Sequence, residues 1–253
     1  MRNVRIVPRI GLALAAAGAA AAASIAAMLV WTVSRLDPAP LWRAEALSVT
    51  VLDREDRLLR AFTTPEGRWR LPVEPDEVDR RYLALLIAME DRRFYTHFGI
   101  DPLALGRAAL QLVSHRRIVS GGSTLTMQVA RLLDGTHERT AAGKLRQIAR
   151  ALQLERQLSK AEIVRLYLRL APFGGNLEGL RAASLAYFGK EPRRLSAAQA
   201  ALLVALPQAP ETRRPDRHPH LARAARDRVL ARAVAAGVLP AAEAERARRE
   251  PIP

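Results

Sequence analysis

The 253-residue sequence contains no cysteine, which excludes disulfide scaffolds, thiolate metal sites and cysteine nucleophiles. A chain of this length can bury a core that needs no covalent staples, so the absence is compatible with an extracytoplasmic location. Lysine is scarce: three of the 40 basic residues are Lys (Lys144, Lys160 and Lys190) and the other 37 are Arg. Aromatic residues make up only 5%. The apolar fraction of 49% is nonetheless too high for a disordered chain. Only 25 residues are acidic, which leaves a net charge of +15. An excess of this size predicts an anionic partner, whether nucleic acid, anionic lipid or a phosphorylated substrate.

One segment lacks charge altogether. From Ile10 to Ser34 there are 25 uncharged residues, more than the roughly 20 a helix needs to cross a bilayer. The run is mostly Ala, with Leu12, Leu14, Ile25, Met28, Leu29, Val30 and Val33 as its stronger apolar residues. Arg2, Arg5 and Arg9 precede it without an acid, and Trp31 and Arg35 suit the outer interface. These features predict a cytoplasmic tail over 1–9, a transmembrane anchor over 10–34 and an extracytoplasmic remainder, which argues against nucleic acid. A cleaved signal peptide is the alternative, with Ala-x-Ala triplets such as Ala15–Ala17. The apolar run continues past them to Val33, which favours the anchor.

After a stiff break at Asp37–Pro40, Leu47–Val51 alternates as a half-buried strand does, with Arg57–Phe62 as hairpin partner across the Asp53–Asp56 turn. Pro65–Pro75 reads as loop, so 35–75 is linker and hairpin and 76–253 the main domain. Asp76–Glu90 places Val78, Tyr82, Leu85, Leu86 and Met89 on one helical face. Asp101-Pro102 opens a helix to about Val113. Further helices are expected over Leu125–Leu133, Glu138–Leu158, Ser159 to near Pro172, Leu177–Tyr187, Ser196 to before Pro207, His220–Ala236 and Ala241–Arg249. Ser159–Glu162 and Ser196–Gln199 have the capping-box pattern, and Phe173–Asn176 reads as a turn.

Two stretches can carry chemistry. In the first, an apolar helix ends in the carboxylate pair Glu90-Asp91, followed by an aromatic loop with His97, Gly99 and the cap Asp101. A carboxylate where a buried helix meets a loop can be partly desolvated, which suits general acid–base work. An ordinary helix-end carboxylate and a structural His97 are the plainer readings. In the second, Gly121, Gly122, Ser123 and Thr124 precede a helix, a pattern that offers backbone N–H groups and a helix dipole to an anion. Between Pro102 and Leu158 nine basic residues face three acids, so the basic excess is concentrated around this loop. A flexible capped loop and a solvated basic helix face are the alternatives.

The combination resembles glycosyltransferase family 51, the peptidoglycan glycosyltransferase module of bifunctional penicillin-binding proteins, and within it the penicillin-binding protein 1C type. The resemblance covers about Leu47 to Gly237. The motif Glu-Asp-x-x-Phe-x-x-His-x-Gly-x-Asp is matched by Glu90, Asp91, Phe94, His97, Gly99 and Asp101. Gly-Gly-Ser-Thr-x-Thr-x-Gln is matched by Gly121, Gly122, Ser123, Thr124, Thr126 and Gln128. Ser159 to Ile163, Tyr167-Leu168, Pro172 to Gly175 and Leu206 to Pro210 match further family segments. Three positions depart from it. Gln147 stands where the third motif usually has a second Glu, Arg169 follows Tyr-Leu in place of Asn, and Gln199 replaces Glu.

The resemblance implies a mainly α, lysozyme-like domain with a small β hairpin and an N-terminal transmembrane helix, at the outer face of the cytoplasmic membrane. It implies polymerisation of lipid II into β-1,4 glycan strands, inverting at MurNAc C1 and releasing undecaprenyl diphosphate. Glu90 would be the base and Gln147 a hydrogen-bond donor to the leaving diphosphate. Asp91, His97, Ser123, Thr124, Gln128, Arg131 and Lys144 would bind substrate. The partners implied are lipid II, the growing strand, the membrane and other cell-wall synthesis proteins. A divalent cation, Mg2+ or Mn2+, at the lipid diphosphate is left open, and no other cofactor is implied. Ser-x-x-Lys, Ser-Asp-Asn and Lys-Thr-Gly are absent, so no penicillin-binding acyl-transfer centre is expected. A lysozyme-like lytic hydrolase and a non-catalytic lipid II-binding scaffold are the competing readings.

Overall fold

The computed structural model describes residues 16, 18, 20, 23, 24, 27–55, 57–115, 122–135 and 140–253, without the side chains of 108–110, 112–115 and 141. The tail 1–9, most of the apolar run, Gly121, Arg116, Arg117, Glu138 and Arg139 lie outside the described residues. Residues 27–35 are helical (α1). No helix among the described residues is long and apolar enough to cross a membrane.

The described chain is mainly helical. After α2 (Trp42–Glu45) come the strands β1 (Thr50–Leu52) and β2 (Leu58–Ala61), an antiparallel pair. A hairpin forms across the expected turn, but its first strand begins at Thr50, three residues later than the alternation from Leu47 suggested, and the apolar side chains of that strand are exposed. Val49 is 67% exposed and Val51 is also exposed, since these two strands form a two-stranded sheet of their own.

The stretch read as loop over Pro65–Pro75 contains a short strand, β3 (Trp69–Arg70), and a 3-10 turn, Pro75–Glu77. β3 runs parallel to β5 (Leu177–Glu178), which is antiparallel to β4 (Pro172–Gly174). Leu177 and Glu178, expected in a helix, are therefore in a strand. The helix α8 begins later, at Leu180–Phe188. Gly179 marks the change, with φ +86°, and a Cβ there would lie 2.9 Å from the Arg169 carbonyl oxygen.

The remaining helices follow the expected pattern closely. They are α3 (Arg80–Glu90), α4 (Pro102–His115), α5 (Leu125–Asp134), α6 (Ala141–Gln157), α7 (Lys160–Leu170), α9 (Ala197–Ala205), α10 (Pro219–Ala235) and α11 (Ala241–Arg249). Helix α3 starts three to four residues later than its apolar pattern suggested, because Asp79 is its cap and accepts from the Arg81 amide at 2.9 Å. The capping boxes at Ser159 and Ser196 are both formed. After α9 the chain tightens into a 3-10 turn, Leu206–Gln208, that runs through Pro207.

Helix α9 is the centre of the core. All of its residues except Gln199 are buried, five of them alanines. Small side chains let α3 and α10 pack closely against it. The apolar face of α3 (Tyr82, Leu85, Leu86 and Met89) is buried on this platform, so Glu90, the last residue of α3, is held by a rigid element.

Candidate active site

Glu90 is half-buried at the end of α3 and opens into a cleft of about 1000 Å³. Its Oε2 accepts from Gln128 Nε2 at 2.8 Å, and its Oε1 accepts from Gln208 Nε2 at 2.7 Å. Of the residues expected to bind substrate, Asp91, Ser123, Thr124, Gln128 and Arg131 line the same cleft.

The loop after Glu90 is fixed by a dense polar network. Both Asp91 oxygens lie 2.9 Å from His97 Nε2, and Asp91 Oδ2 also accepts from the Leu125 amide at 2.9 Å. Because an ionised carboxylate only accepts, the imidazole proton is on Nε2. Asp91 and His97 thus tie the loop to the first turn of α5. Asp91 reaches the cleft wall, whereas His97 is buried and does not line it.

Thr124 caps α5, accepting from Met127 N at 3.1 Å and donating to the Gly99 carbonyl at 2.6 Å. Gly99 has φ +80°, and a Cβ there would meet the Ala151 carbonyl oxygen at 2.9 Å, so the loop can lie directly on α6. Glu155, buried, accepts from Thr126 and from Lys160, both at 2.6 Å, and Lys160 also donates to the His97 carbonyl at 2.7 Å. Asp101 caps α4 through the Ala104 amide and is paired with Arg93.

The surroundings of Ser123 differ, and Lys144, expected to bind substrate, is not itself among the residues that line the cleft. Ser123 accepts from Lys144 Nζ at 2.7 Å. Burial, and then the nearby Arg131, push the Lys144 ammonium below the ordinary lysine range. Arg131 is exposed, one turn beyond Gln128 on α5. Lys144, beside the residue that precedes α5, and Arg131, in the last turn of α5, therefore repel one another, with no acid paired to either among the described residues. An anion there would relieve the repulsion and meet the helix N-terminus.

Gln147 follows Lys144 on α6 and is half-buried, but it is not among the residues that line the cleft. The other two departures have local explanations. Arg169 is ion-paired with Glu74 and ties α7 to the segment before α3. Gln199 closes the capping box of α9, its Oε1 accepting from the Ser196 amide at 3.0 Å.

Sequence reasoning missed several cleft residues. Gln208 lies in a segment whose family match was seen, but its contact with Glu90 was not. Arg232 of α10 lines the cleft and donates to the Met89 carbonyl at 3.4 Å; it had no local signal. Arg92, Arg93 and Arg107 also contribute. Among the described residues no group of three or more His, Cys, Asp and Glu is arranged to hold a metal ion. The carboxylates nearest the cleft, Glu90, Asp91 and Asp101, are each engaged by nitrogen donors, so this donor set does not fit a divalent cation held by the protein alone.

The family model described as Transglycosylase matches residues 55–234. The chain is similar to penicillin-binding protein 1C of Escherichia coli (strain K12), with 49% identity over 233 residues, covering 92% of this chain and 30% of that protein. It is also similar to penicillin-binding protein 1A of Aquifex aeolicus (strain VF5), with 40% identity over 193 residues, covering 76% of this chain and 27% of that protein. The chain thus spans less than a third of the length of these relatives. Among solved structures, penicillin-binding protein 1A from Haemophilus influenzae aligns with TM-score 0.46 and 19% identity over 82% of this chain and 21% of that one.

Proposed function

The chain belongs to the transglycosylase family, and on that premise we propose that it is a membrane-anchored peptidoglycan glycosyltransferase that polymerises lipid II. The observation that carries this reading is the juxtaposition in one cleft of a carboxylate on a rigid helix end with Arg131 and with Ser123, which accepts from Lys144. A glycan hydrolase needs the first and has no use for the second.

In the proposed reaction the 4-hydroxyl of the lipid II GlcNAc gives its proton to Glu90. The hydroxyl oxygen forms a bond to C1 of the MurNAc that ends the lipid-linked strand. The bond from C1 to the diphosphate oxygen breaks, its electron pair leaves with undecaprenyl diphosphate, and the configuration at C1 inverts. Lys144, Arg131, the Ser123 hydroxyl and the first turn of α5 receive the leaving charge. Gln128 and Gln208 orient the base. Asp91, His97 and Thr124 act one step back, by holding the loop and α5 in register. Glu90 is the one carboxylate given a chemical role, and Gln147, an amide, cannot replace a second.

The apolar run over 10–34 would hold the domain at the outer face of the cytoplasmic membrane, near its lipid-linked substrate. The described end of this run fits that role: Val30 and Trp31 are exposed, and Arg35 lies 4.7 Å over the Trp31 ring, an interfacial pairing. The exposed Tyr95, Phe98 and Leu103 beside the cleft would face the same surface.

The test is polymerisation of purified lipid II by Glu90→Gln. The variant is expected to be folded and inactive. Polymer at near wild-type rate would remove Glu90 from the role of base, and fragments released from finished peptidoglycan would favour the hydrolase.

A further inference from the structure

The two amides that hold Glu90 are fixed in different ways. Gln128 stands on α5, a helix with a buried face. Gln208 is exposed on a three-residue 3-10 turn, where packing does not choose which end of its amide faces the carboxylate. Arg213 makes that choice. Its Nη1 donates to Gln208 Oε1 at 3.1 Å and to the carbonyl of Ala205, the last residue of α9, at 2.6 Å. A guanidinium has no acceptor, so the amide oxygen faces Arg213 and the NH2 faces Glu90. The flipped amide would set its oxygen against the carboxylate.

We infer that Arg213 and Gln208 form a positioning relay that holds the Glu90 carboxylate aimed into the cleft. The inference rests on the reading of Glu90 as the base. Other groups around Glu90 do not supply this function. The phenols of Tyr82, on α3, and Tyr167, on α7, are kept neutral by burial. Arg131 on α5 belongs with Lys144, and Arg232 on α10 is directed to the Met89 carbonyl. Arg228, also on α10, faces Arg213. Asp91 is engaged by His97 and Leu125, and α9 contributes no titratable group.

A hydrogen bond donated to a carboxylate favours its charged form. Removing it should therefore move the acidic limb of the pH–rate profile upward. The experiment is the pH dependence of kcat for lipid II polymerisation by the full chain. Gln208→Ala is expected to raise the acidic limb by about one pH unit. Gln208→Glu, which places a second carboxylate beside the first, should raise it further. Gln208→Lys, which restores a donor, should return it to the wild-type position or below. Arg213 also acts on Glu90 directly through its charge, so the relay is tested with Arg213→Lys, which keeps the charge: it should shift the limb in the same direction as Gln208→Ala, and the double variant should go no further than Gln208→Ala alone.

Loss of folded protein would lower the profile at every pH without moving the limb, so the position of the limb separates positioning from structure. A wild-type limb in both Gln208→Ala and Gln208→Glu would overturn the relay, as would shifts of Gln208→Ala and Arg213→Lys that add in full. Activity retained by Glu90→Gln would instead withdraw the premise.

Discussion

The loop from Asp91 to Asp101 and the set Ser123, Arg131 and Lys144 meet at one cleft, to which Lys144 is joined through Ser123, yet they use polar residues in opposite ways. In the first, Asp91, His97 Nε2 and Asp101 all have protein partners, and the loop is locked further by Glu155 and Lys160 from the adjoining helices. In the second, Lys144 and Arg131 are crowded and no acid neutralises either among the described residues. Buried polar groups that are paired rigidify a structure, and in this loop His97 Nδ1 is the buried side-chain atom without a partner among the described residues. Cations left uncompensated are costly to the empty protein, and that cost is relieved only when an anion arrives. Matched motif residues therefore separate into those that build the cleft and those that wait for a ligand.

The strongest way to break this distinction is to remove a residue of the second kind. Lys144→Ala should lower kcat/KM for lipid II by about 10²–10³, the range for loss of one preorganised donor to developing negative charge. Its unfolding midpoint should be unchanged or slightly raised, since a destabilised ammonium has been deleted. A large fall in midpoint would place Lys144 with the structural residues.

Asp91→Ala tests the first kind. It leaves the Leu125 amide and the His97 Nε2–H without an acceptor in a buried place, at a cost of about 2–3 kcal/mol. Chemical denaturation should show this loss directly, and activity should fall with the folded fraction. An inactive variant of wild-type stability would put Asp91 in contact with substrate.

The same contrast gives a pH dependence. The Lys144 ammonium lies below the ordinary lysine range because burial and Arg131 both disfavour its charge. Its proton is therefore lost earlier than an ordinary lysine's as pH rises, and KM for lipid II should climb on the alkaline side. Lys144→Arg, which stays charged at any pH used, should abolish that climb. An alkaline limb that persists in Lys144→Arg would assign it to another group.

Much of this arrangement was legible in the sequence where the cause is local. Ser159 and Ser196 opened helices because a hydroxyl and a residue three positions on close a capping box within one turn. Glu90 was found because an apolar period ended at a carboxylate. What was missed depends on distant partners. Trp69–Arg70 is a strand because Leu177–Glu178 lies beside it, and neither pair has a pattern of its own. Gln208 meets Glu90 across 118 positions, so the motif around it gave no role. The alternation over Leu47–Val51 identified a strand but not its burial, which depends on a covering layer that sequence period cannot report.

The smallest expected effect concerns Arg169, where the resemblance had Asn. Its side chain is 15% exposed and its partner Glu74 is 43% exposed, so solvent screens the pair and its net worth is about 0–1 kcal/mol. The pair joins α7 to the segment before α3, remote from the cleft-lining residues. Arg169→Asn should therefore leave kcat/KM for lipid II unchanged and lower stability by no more than about 1 kcal/mol. A pronounced fall in kcat at constant stability would show that the seam between α7 and α3 transmits to Glu90, and the division between building and binding residues would then have to include a third, coupling, class.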